Sequence, residues 1–139
     1  MQYRKFGKDG KNVSALGFGA MRLPTKGKES EVDEPATIEM IRYAIDHGVN
    51  YVDTAYVYHG GNSEVVVGKA LEDGYREKVF LATKLPVFLV EKADDFDRFL
   101  DEQVHRLQTA HIDFYLLHCL QAPYWPKMQE LGVCDWAER

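Results

Sequence analysis

Short apolar runs alternate along the chain with segments in which apolar residues recur at helical spacing. Four near-continuous apolar runs predict buried strands at residues 15–19, 49–53, 79–84 and 112–118. Each strand is followed by a predicted helix, and the units repeat at a spacing of roughly 30 residues, the size of a βαβ unit. Such strands are typical of a parallel sheet that is covered on both faces or closed into a barrel.

Capping and breaking residues set the limits of the four helices. Pro35 fits the first turn of the first helix, where its missing N–H costs nothing. Gly48 and Gly74 fit the ends of the first and second helices, and the third carries an apolar stripe that includes Phe96 and Phe99. The predicted starts are Asp33 or Glu34 for the first helix, Asn62 or Ser63 for the second, and about Lys127 for the last, which reaches the C-terminus.

A hairpin is predicted ahead of these units. Residues 2–6 and 11–14 flank Lys8-Asp9-Gly10, and Asp-Gly is a strong two-residue turn signal. No linker or low-complexity segment interrupts the chain. We therefore expect a single domain over residues 1–139, with the hairpin in 1–14 and four βα units in 15–139.

Composition narrows the class of protein. The 139 residues are 45% hydrophobic and 12% aromatic, which favours a globular chain over a disordered one. No apolar run reaches the ~18 residues that span a bilayer, and the N-terminus has no apolar signal core, so we expect a cytoplasmic protein without a membrane partner. A net charge of -5 with no clustered basic face argues against nucleic-acid binding. Cys119 and Cys134 are too few for a disulfide framework and lack metal-ligand spacing, so no metal site is predicted.

Three of the four predicted strands finish on chemically capable side chains, namely Asp53, Lys84 and His118. Tyr58 lies five residues beyond Asp53, in a glycine-rich loop. Taken alone, each would more often be an ordinary polar residue that faces solvent. Because the carboxyl ends of parallel strands emerge on one face, we expect the four side chains to converge there and form a site.

The chemistry of such a group is definite. A phenol titrates near ~10, too high for efficient proton donation at neutral pH, and an ammonium beside it lowers that pKa by stabilising the phenolate. Asp53 can supply the counter-charge that Lys84 needs, and His118 can donate a hydrogen bond to a carbonyl oxygen. These four side chains together predict the reduction of a small carbonyl substrate to an alcohol, with the hydride supplied by a cofactor.

These residues resemble the aldo-keto reductase family. The most specific match is Asp53-Thr54-Ala55 with Tyr58, followed by Gly61-Asn62-Ser63-Glu64. Further segments match in the family's order: Leu16-Gly17-Phe18-Gly19, Thr83-Lys84 and Asp113-Phe114-Tyr115-Leu116-Leu117-His118. The resemblance implies an α/β fold, the first half of a TIM-type (β/α)8 barrel, and an NAD(P)H-dependent oxidoreductase that reduces aldehydes or ketones.

Roles for the site residues are also implied by the resemblance. Tyr58 would be the proton donor, and Lys84 the group that lowers its pKa. Asp53 would be the partner of Lys84, and His118 would orient the carbonyl. The loop after the first strand would lie near the nicotinamide of NADPH or NADH, which makes the candidate cofactor contacts Gly19, Ala20, Met21, Arg22 and Asp53. The segments Gly19-Ala20-Met21-Arg22-Leu23-Pro24 and His118-Cys119-Leu120 are similar to a bacterial and archaeal branch of the family that carries an iron–sulfur C-terminal tail. A 4Fe-4S cluster is therefore expected only where such a tail exists.

The length disagrees with a complete barrel, which needs ~250 residues. In the family, the cofactor phosphate and adenine sites come mainly from later strands, so we expect weak NADPH binding and low activity from this chain alone. It is expected to be a truncation, a proteolytic fragment or a natural half-barrel. The residues leave open the substrate, the choice between NADPH and NADH, and the oligomeric state.

Two other functions remain open. A half-barrel has two uncovered edge strands and could serve as an assembly module that pairs with a second copy or with a separate C-terminal half. A receiver-like phosphoacceptor domain also fits the length, with Asp53 as acceptor. Against it, the Gly-Ala-Met-Arg segment after the first strand contains no acidic pair to hold magnesium.

The remaining aromatic and histidine residues have structural interpretations. His59 is expected to be a solvated loop residue rather than a substrate contact. Tyr124-Trp125-Pro126 is placed in the loop after the fourth strand, where it either walls a substrate pocket or packs against the last helix. Trp136 is expected in the core or at an interface.

Overall fold

The chain opens with an antiparallel hairpin. The computed structural model describes residues 1–8 and 10–139. Strands β1 (Tyr3–Phe6) and β2 (Lys11–Ser14) pair with Tyr3 opposite Ser14. The predicted hairpin strands are confirmed, whereas the predicted Asp-Gly turn includes Asp9, which lies outside the described residues.

Four parallel strands form the sheet that follows, in the order β3-β4-β5-β6. This order is the order of the chain, as expected when each strand is joined to its neighbour by a helix. The strands are β3 (Phe18–Gly19), β4 (Tyr51–Asp53), β5 (Phe80–Leu85) and β6 (Phe114–Leu117). The helices are α1 (Glu34–Asp46), α2 (Asn62–Ala70), α3 (Asp94–Arg106), α4 (Trp125–Glu130) and α5 (Val133–Ala137).

The outer strands of the sheet are shorter than the apolar runs predict. The run at 15–19 yields the two-residue strand β3, and Leu16 within it is exposed. The backbone N–H of Ala15 instead donates to the carbonyl of Gln2, which extends the hairpin. Strand β3 is an edge strand with one neighbour, and only two residues of its run pair with β4.

The first two helices differ in how they begin. Helix α1 begins at Glu34, one of the two predicted starts, and Asp33 caps it, because its Oδ1 accepts the Ala36 N–H at 3.4 Å. The prediction that Asn62 or Ser63 caps α2 is wrong, since Gly61 holds the N-cap position with no side-chain hydrogen bond. Helix α2 ends at Ala70 instead of near Gly74.

The predicted continuous last helix is also wrong. It is two short helices, α4 and α5, separated at Gly132. Gly132 has a φ of 80°, a left-handed conformation that glycine adopts without the steric cost borne by other residues and that no α-helix tolerates in its interior. Within residues 1–8 and 10–139, no helix is long and apolar enough to cross a membrane.

The core lies between the sheet and the helices, in two clusters. One includes Ile41 and Val67 packed on Val52 and Leu81, and the other includes Phe96 and Met128. Helices α2 and α3 approach closely at Gly68. A Cβ built there would lie 2.8 Å from the Arg106 carbonyl oxygen and from the Leu107 carbonyl carbon, so the contact requires glycine.

An aromatic layer covers the amino ends of the strands. Phe114 lies at its centre, with the rings of Phe6 of the hairpin, Tyr51 and Phe80 at centroid distances of 5.2, 5.4 and 6.0 Å. Each of Tyr51, Phe80 and Phe114 is the first residue of its strand. The hairpin therefore packs at the amino edge of the sheet and leaves the carboxyl edge clear.

Candidate active site

The Lys84 ammonium is the centre of a polar cluster at the carboxyl edge of the sheet. Its Nζ lies 2.7 Å from Asp53 Oδ1, 2.7 Å from the Thr54 carbonyl oxygen and 3.2 Å from the Tyr58 hydroxyl. The Lys84 side chain is only 13% exposed. Three oxygen partners therefore replace the water that this buried cation gives up.

Local structure puts these groups together. Asp53 ends β4 and pairs in register with Ala82 of β5, two residues before Lys84, so both side chains project from the same end of adjacent strands. Tyr58 begins a short 3-10 segment, Tyr58–Gly61, and its N–H donates to the Ala55 carbonyl. The chain thus turns back after β4 and returns the phenol to the sheet edge.

His118 completes the cluster from the next strand. It follows β6 directly, and its N–H donates to the Leu85 carbonyl at 2.9 Å, which fixes its backbone to β5. Its ring stands edge-on to the Tyr58 ring, with centroids 5.5 Å apart, and meets Phe88 on another side at 5.7 Å. The structure therefore brings all four predicted catalytic residues together.

The surroundings of His118 favour the neutral form of its imidazole. Burial lowers its pKa from the ordinary 6.5, the Lys84 ammonium lowers it further, and the Asp53 carboxylate acts in the opposite direction. Its Nδ1 is buried and has no hydrogen-bond partner within residues 1–8 and 10–139. A neutral imidazole has one N–H to donate, so this residue can offer a hydrogen bond without adding a charge to the site.

A buried polar network supports Lys84 from the helix side of the sheet. Glu64 of α2 is fully buried and accepts from Thr83 Oγ1 at 2.7 Å, from Gln103 Nε2 at 2.6 Å and from Arg106 at 3.2 Å. Gln103 Nε2 also lies 3.2 Å from the Lys84 carbonyl oxygen. The network thus fixes the backbone from which the Lys84 side chain projects.

The sequence pattern predicts no role for this network. Glu64 stands in the Gly61-Asn62-Ser63-Glu64 motif, and Gln103 lies on a helix with a clear apolar stripe. The one local signal is a carboxylate and an amide on the sheet-facing side of two helices, since buried polar groups are nearly always paired. Burial raises the pKa of the Tyr115 hydroxyl, and the nearby Glu64 carboxylate raises it further.

The candidate cofactor contacts lie at the end of β3, next to Asp53. Gly19 pairs with Asp53 in register, and a Cβ built on it would meet no atom of the described residues within 4 Å. Met21 and Arg22 are exposed on the 3-10 segment Ala20–Arg22. Ala20 is fully buried and its carbonyl accepts from Ser63 Oγ at 3.0 Å, so its side chain faces the core and not the open edge.

His59 is not the solvated residue that its loop position suggests. It is 3% exposed, and both ring nitrogens have backbone partners, the Leu23 N–H at 3.0 Å and the Glu29 carbonyl at 2.6 Å. The prediction of a solvated side chain is wrong because these partners lie about 30 residues or more earlier in the chain, where no local pattern reveals them.

The aromatic residues Tyr124, Trp125 and Trp136 pack against the second core cluster. Trp125 begins α4, and with Tyr124 it covers the second core cluster, so the packing alternative holds and the loop placement is wrong for Trp125. Trp136 packs on Phe96 at 5.3 Å and donates its indole N–H to Asp97. In the part of the chain that the structure describes, Cys119 and Cys134 form no disulfide, and both are exposed.

Comparison with curated proteins places the chain in a family. The aldo/keto reductase family profile matches residues 15–132. The chain is 37% identical over 122 residues to a probable aldo-keto reductase of Glycine max, a match that covers 82% of this chain and 35% of that protein. It therefore spans about a third of that relative's length.

Solved structures agree in fold. A thermostable aldo-keto reductase in complex with the inhibitor epalrestat matches with a TM-score of 0.76 at 30% identity, over 97% of this chain and 50% of that one. An aldo/keto reductase from Klebsiella pneumoniae in complex with NADP and acetate matches with a TM-score of 0.69 at 33% identity, over 84% of this chain and 38% of that one. The four parallel βα units are thus the first half of a TIM-type barrel. This chain belongs to the aldo/keto reductase family.

Proposed function

We propose that this chain carries the catalytic residues of an NAD(P)H-dependent oxidoreductase that reduces aldehydes or ketones, with Tyr58 as the proton donor. The observation that carries the proposal is the Lys84 ammonium, which contacts both Asp53 Oδ1 at 2.7 Å and the Tyr58 hydroxyl at 3.2 Å. A cation beside the phenol oxygen stabilises the phenolate that remains after the proton leaves. Asp53 holds that cation in place.

His118 is proposed to orient the substrate carbonyl. Burial and the Lys84 ammonium lower its pKa, which favours the neutral imidazole, and its one N–H would donate a hydrogen bond to the carbonyl oxygen beside the Tyr58 hydroxyl. Phe88, whose ring lies 5.7 Å from the His118 ring, is proposed as an apolar wall of the substrate site. These groups prepare the oxygen to accept a proton as negative charge develops on it.

The residues at the end of β3 fit one part of a nicotinamide cofactor. The space above Gly19 is open, Gly19 pairs in register with Asp53, and Met21 and Arg22 are exposed on the segment that follows. We therefore propose Gly19, Met21, Arg22 and Asp53 as contacts for NADPH or NADH, with Ala20 as buried support. The reduced cofactor would supply the hydride. The support from relatives is the Klebsiella pneumoniae structure with NADP and acetate.

The decisive experiment compares Tyr58→Phe with the unchanged sequence, each in a protein whose barrel is completed by a C-terminal half, because the chain alone is expected to have low activity. Loss of NADPH absorbance is followed with a small aromatic aldehyde, and we expect Tyr58→Phe to lower the rate by about 10²–10⁴-fold, as removal of a general acid does. Tyr43→Phe is the matched control, because Tyr43 is exposed on α1 away from the carboxyl edge. A Tyr58→Phe variant with the same rate as Tyr43→Phe would refute the assigned proton donor.

We also propose that residues 1–139 fold as one domain in the cytoplasm and that the sheet is completed by further βα units of a C-terminal half. Edge strands β3 and β6 have free ladders, and Leu116 and Phe6 are exposed. The extent of the match, half of the thermostable reductase, favours a C-terminal half as the partner. Light scattering measures the oligomeric state, and a titration with NADPH measures cofactor binding. A monomer that binds NADPH tightly without any partner contradicts the proposed C-terminal half. A dimer identifies a second copy as the partner instead.

A further inference from the structure

The turn that follows Tyr58 holds a distant segment of the chain against the carboxyl edge. The His59 ring reaches from this turn into the segment after β3, where it meets the Leu23 N–H and the Glu29 carbonyl. Although it belongs to a loop, the side chain is 3% exposed. A single imidazole thus bridges two backbone sites that lie six residues apart in sequence.

The contacts decide where the proton of His59 resides. A backbone N–H can only donate, so Nε2 must accept from Leu23, and the proton must be on Nδ1, where it donates to the Glu29 oxygen. His59 is therefore neutral, in the Nδ1–H form. The imidazolium could not accept from Leu23 and would lose that bond.

Neighbouring contacts hold the same segment at two further points. Asn62 Nδ2 donates to the Ser30 carbonyl at 2.9 Å, and Ser63 Oγ donates to the Ala20 carbonyl at 3.0 Å. The backbone accommodates this through three successive residues with positive φ, namely His59 at 53°, Gly60 at 63° and Gly61 at 94°. Glycine adopts positive φ freely, so the steric cost of this turn falls on the left-handed His59, and the contacts of its ring help to maintain it.

We infer that His59 is a positioning residue that fixes the Tyr58 turn relative to residues 20–30. The consequence is that the phenol of Tyr58 and the exposed Met21 and Arg22 keep constant places around the carboxyl edge. The catalytic meaning of this inference rests on the proposed function, because Met21 and Arg22 matter there as cofactor contacts. The contact itself does not, and it can be tested without cofactor or substrate.

The first test observes the unchanged chain without cofactor. Two-dimensional NMR of the 15N-labelled imidazole distinguishes the tautomers, with His59→Gln used to assign the signals. We expect the Nδ1–H form at pH 7 and strong protection of the Leu23 amide against hydrogen exchange. An Nε2–H form, or an unprotected Leu23 amide, would overturn the inference whether or not the chain reduces carbonyls.

The second test uses two substitutions that differ in reach. His59→Asn keeps a residue type that tolerates positive φ, but its amide is too short to span both partners. His59→Gln has one acceptor and one donor on a longer side chain. We expect His59→Asn to speed hydrogen exchange of the Leu23 amide about tenfold and to shift the Met21 methyl resonance. In His59→Gln, both the exchange rate and the resonance should lie closer to those of the unchanged chain. His105→Asn, on the exposed face of α3, is the control.

The same variants then separate positioning from simple loss of stability. If the proposed function holds, His59→Asn weakens NADPH binding several-fold, whereas His59→Gln recovers it at equal thermal stability. Equal effects of the Asn and Gln variants on Leu23 exchange and on Met21 would refute the positioning role. If a barrel completed by a C-terminal half fails to bind NADPH, the proposed function fails, while the tautomer and exchange results on the unchanged chain still decide the inference.

Discussion

The Lys84 ammonium and the Asp53 carboxylate form a hydrogen-bonded ion pair of 2.7 Å at the ends of adjacent strands. The Lys84 side chain is nearly buried, whereas the Asp53 side chain is 29% exposed. At about 4 Å and an effective dielectric near 20 such a pair attracts by ~4 kcal/mol, which is enough to hold the orientation of a long side chain. The pair therefore fixes the ammonium beside Tyr58 and sets the charge that His118 experiences.

The pKa of His118 reports on that pair. Removal of the cation by Lys84→Met is expected to raise the His118 pKa, and removal of the anion by Asp53→Asn is expected to lower it further. NMR titration of the His118 ring protons measures both. Shifts of the His118 pKa in opposite directions in the two variants confirm that it depends on the Lys84–Asp53 pair. Shifts in the same direction contradict this.

Stability should follow the same titration. The folded-state pKa of His118 lies below 6.5, its ordinary value, so the unfolded chain binds more protons as the pH falls through 6.5. The free energy of unfolding is therefore expected to decrease on acidification in this range, and His118→Gln should remove this part of the dependence. Urea unfolding at several pH values between 7.5 and about 5 tests it.

Asp95 is expected to influence stability at a lower pH. Its carboxylate accepts the Glu91 N–H at 2.8 Å and the Lys92 N–H at 3.1 Å, and these bonds, with the Arg98 guanidinium, hold its pKa at about 2. Its contribution is fully present above pH 3.8 and is lost as the pH falls through about 2. The difference in unfolding free energy between the unchanged chain and Asp95→Asn should therefore shrink on acidification from pH 5 to pH 2. A constant difference would show that ionisation of Asp95 has no part in it.

The close approach of α2 and α3 predicts a cost for Gly68→Ala. The new Cβ would lie 2.8 Å from backbone atoms of Arg106 and Leu107, so the helices must separate. We expect destabilisation of about 1–3 kcal/mol despite the better helix propensity of Ala. Glu39→Ala, on the exposed face of α1, is the control and should stay within about 0.5 kcal/mol. A Gly68→Ala variant as stable as the control would mean that the helices can shift freely.

Removal of the Glu64 carboxylate should be more damaging than its neutralisation. Glu64→Ala leaves Thr83, Gln103 and Arg106 without their shared acceptor, and breaking such a buried pair costs about 3–5 kcal/mol. Glu64→Gln keeps an acceptor for Thr83 and should lose less. Chemical denaturation gives both values, and equal losses would show that the acceptor oxygen is unimportant.

The strands and helices of the fold could be predicted because their formation depends on residues that lie close together in the sequence. Strand and helix order follows from apolar periodicity, and Asp33 caps α1 through a contact with a residue three positions away. Predicted limits were less accurate at the edge strands and in the last helix. There the outcome depends on whether a neighbouring strand is present and on one left-handed glycine, Gly132.

The sequence by itself determined that Asp53, Tyr58, Lys84 and His118 share one edge, because parallel strands place their carboxyl ends together and the side-chain alternation is fixed. Only the tertiary structure decided how these groups are held. The His59 bridge to Leu23 and the Glu64–Gln103 network join residues 36 and 39 positions apart. Hydrogen bonds at such separations depend on how helices and loops pack over the sheet, and that packing leaves no periodic pattern in the chain.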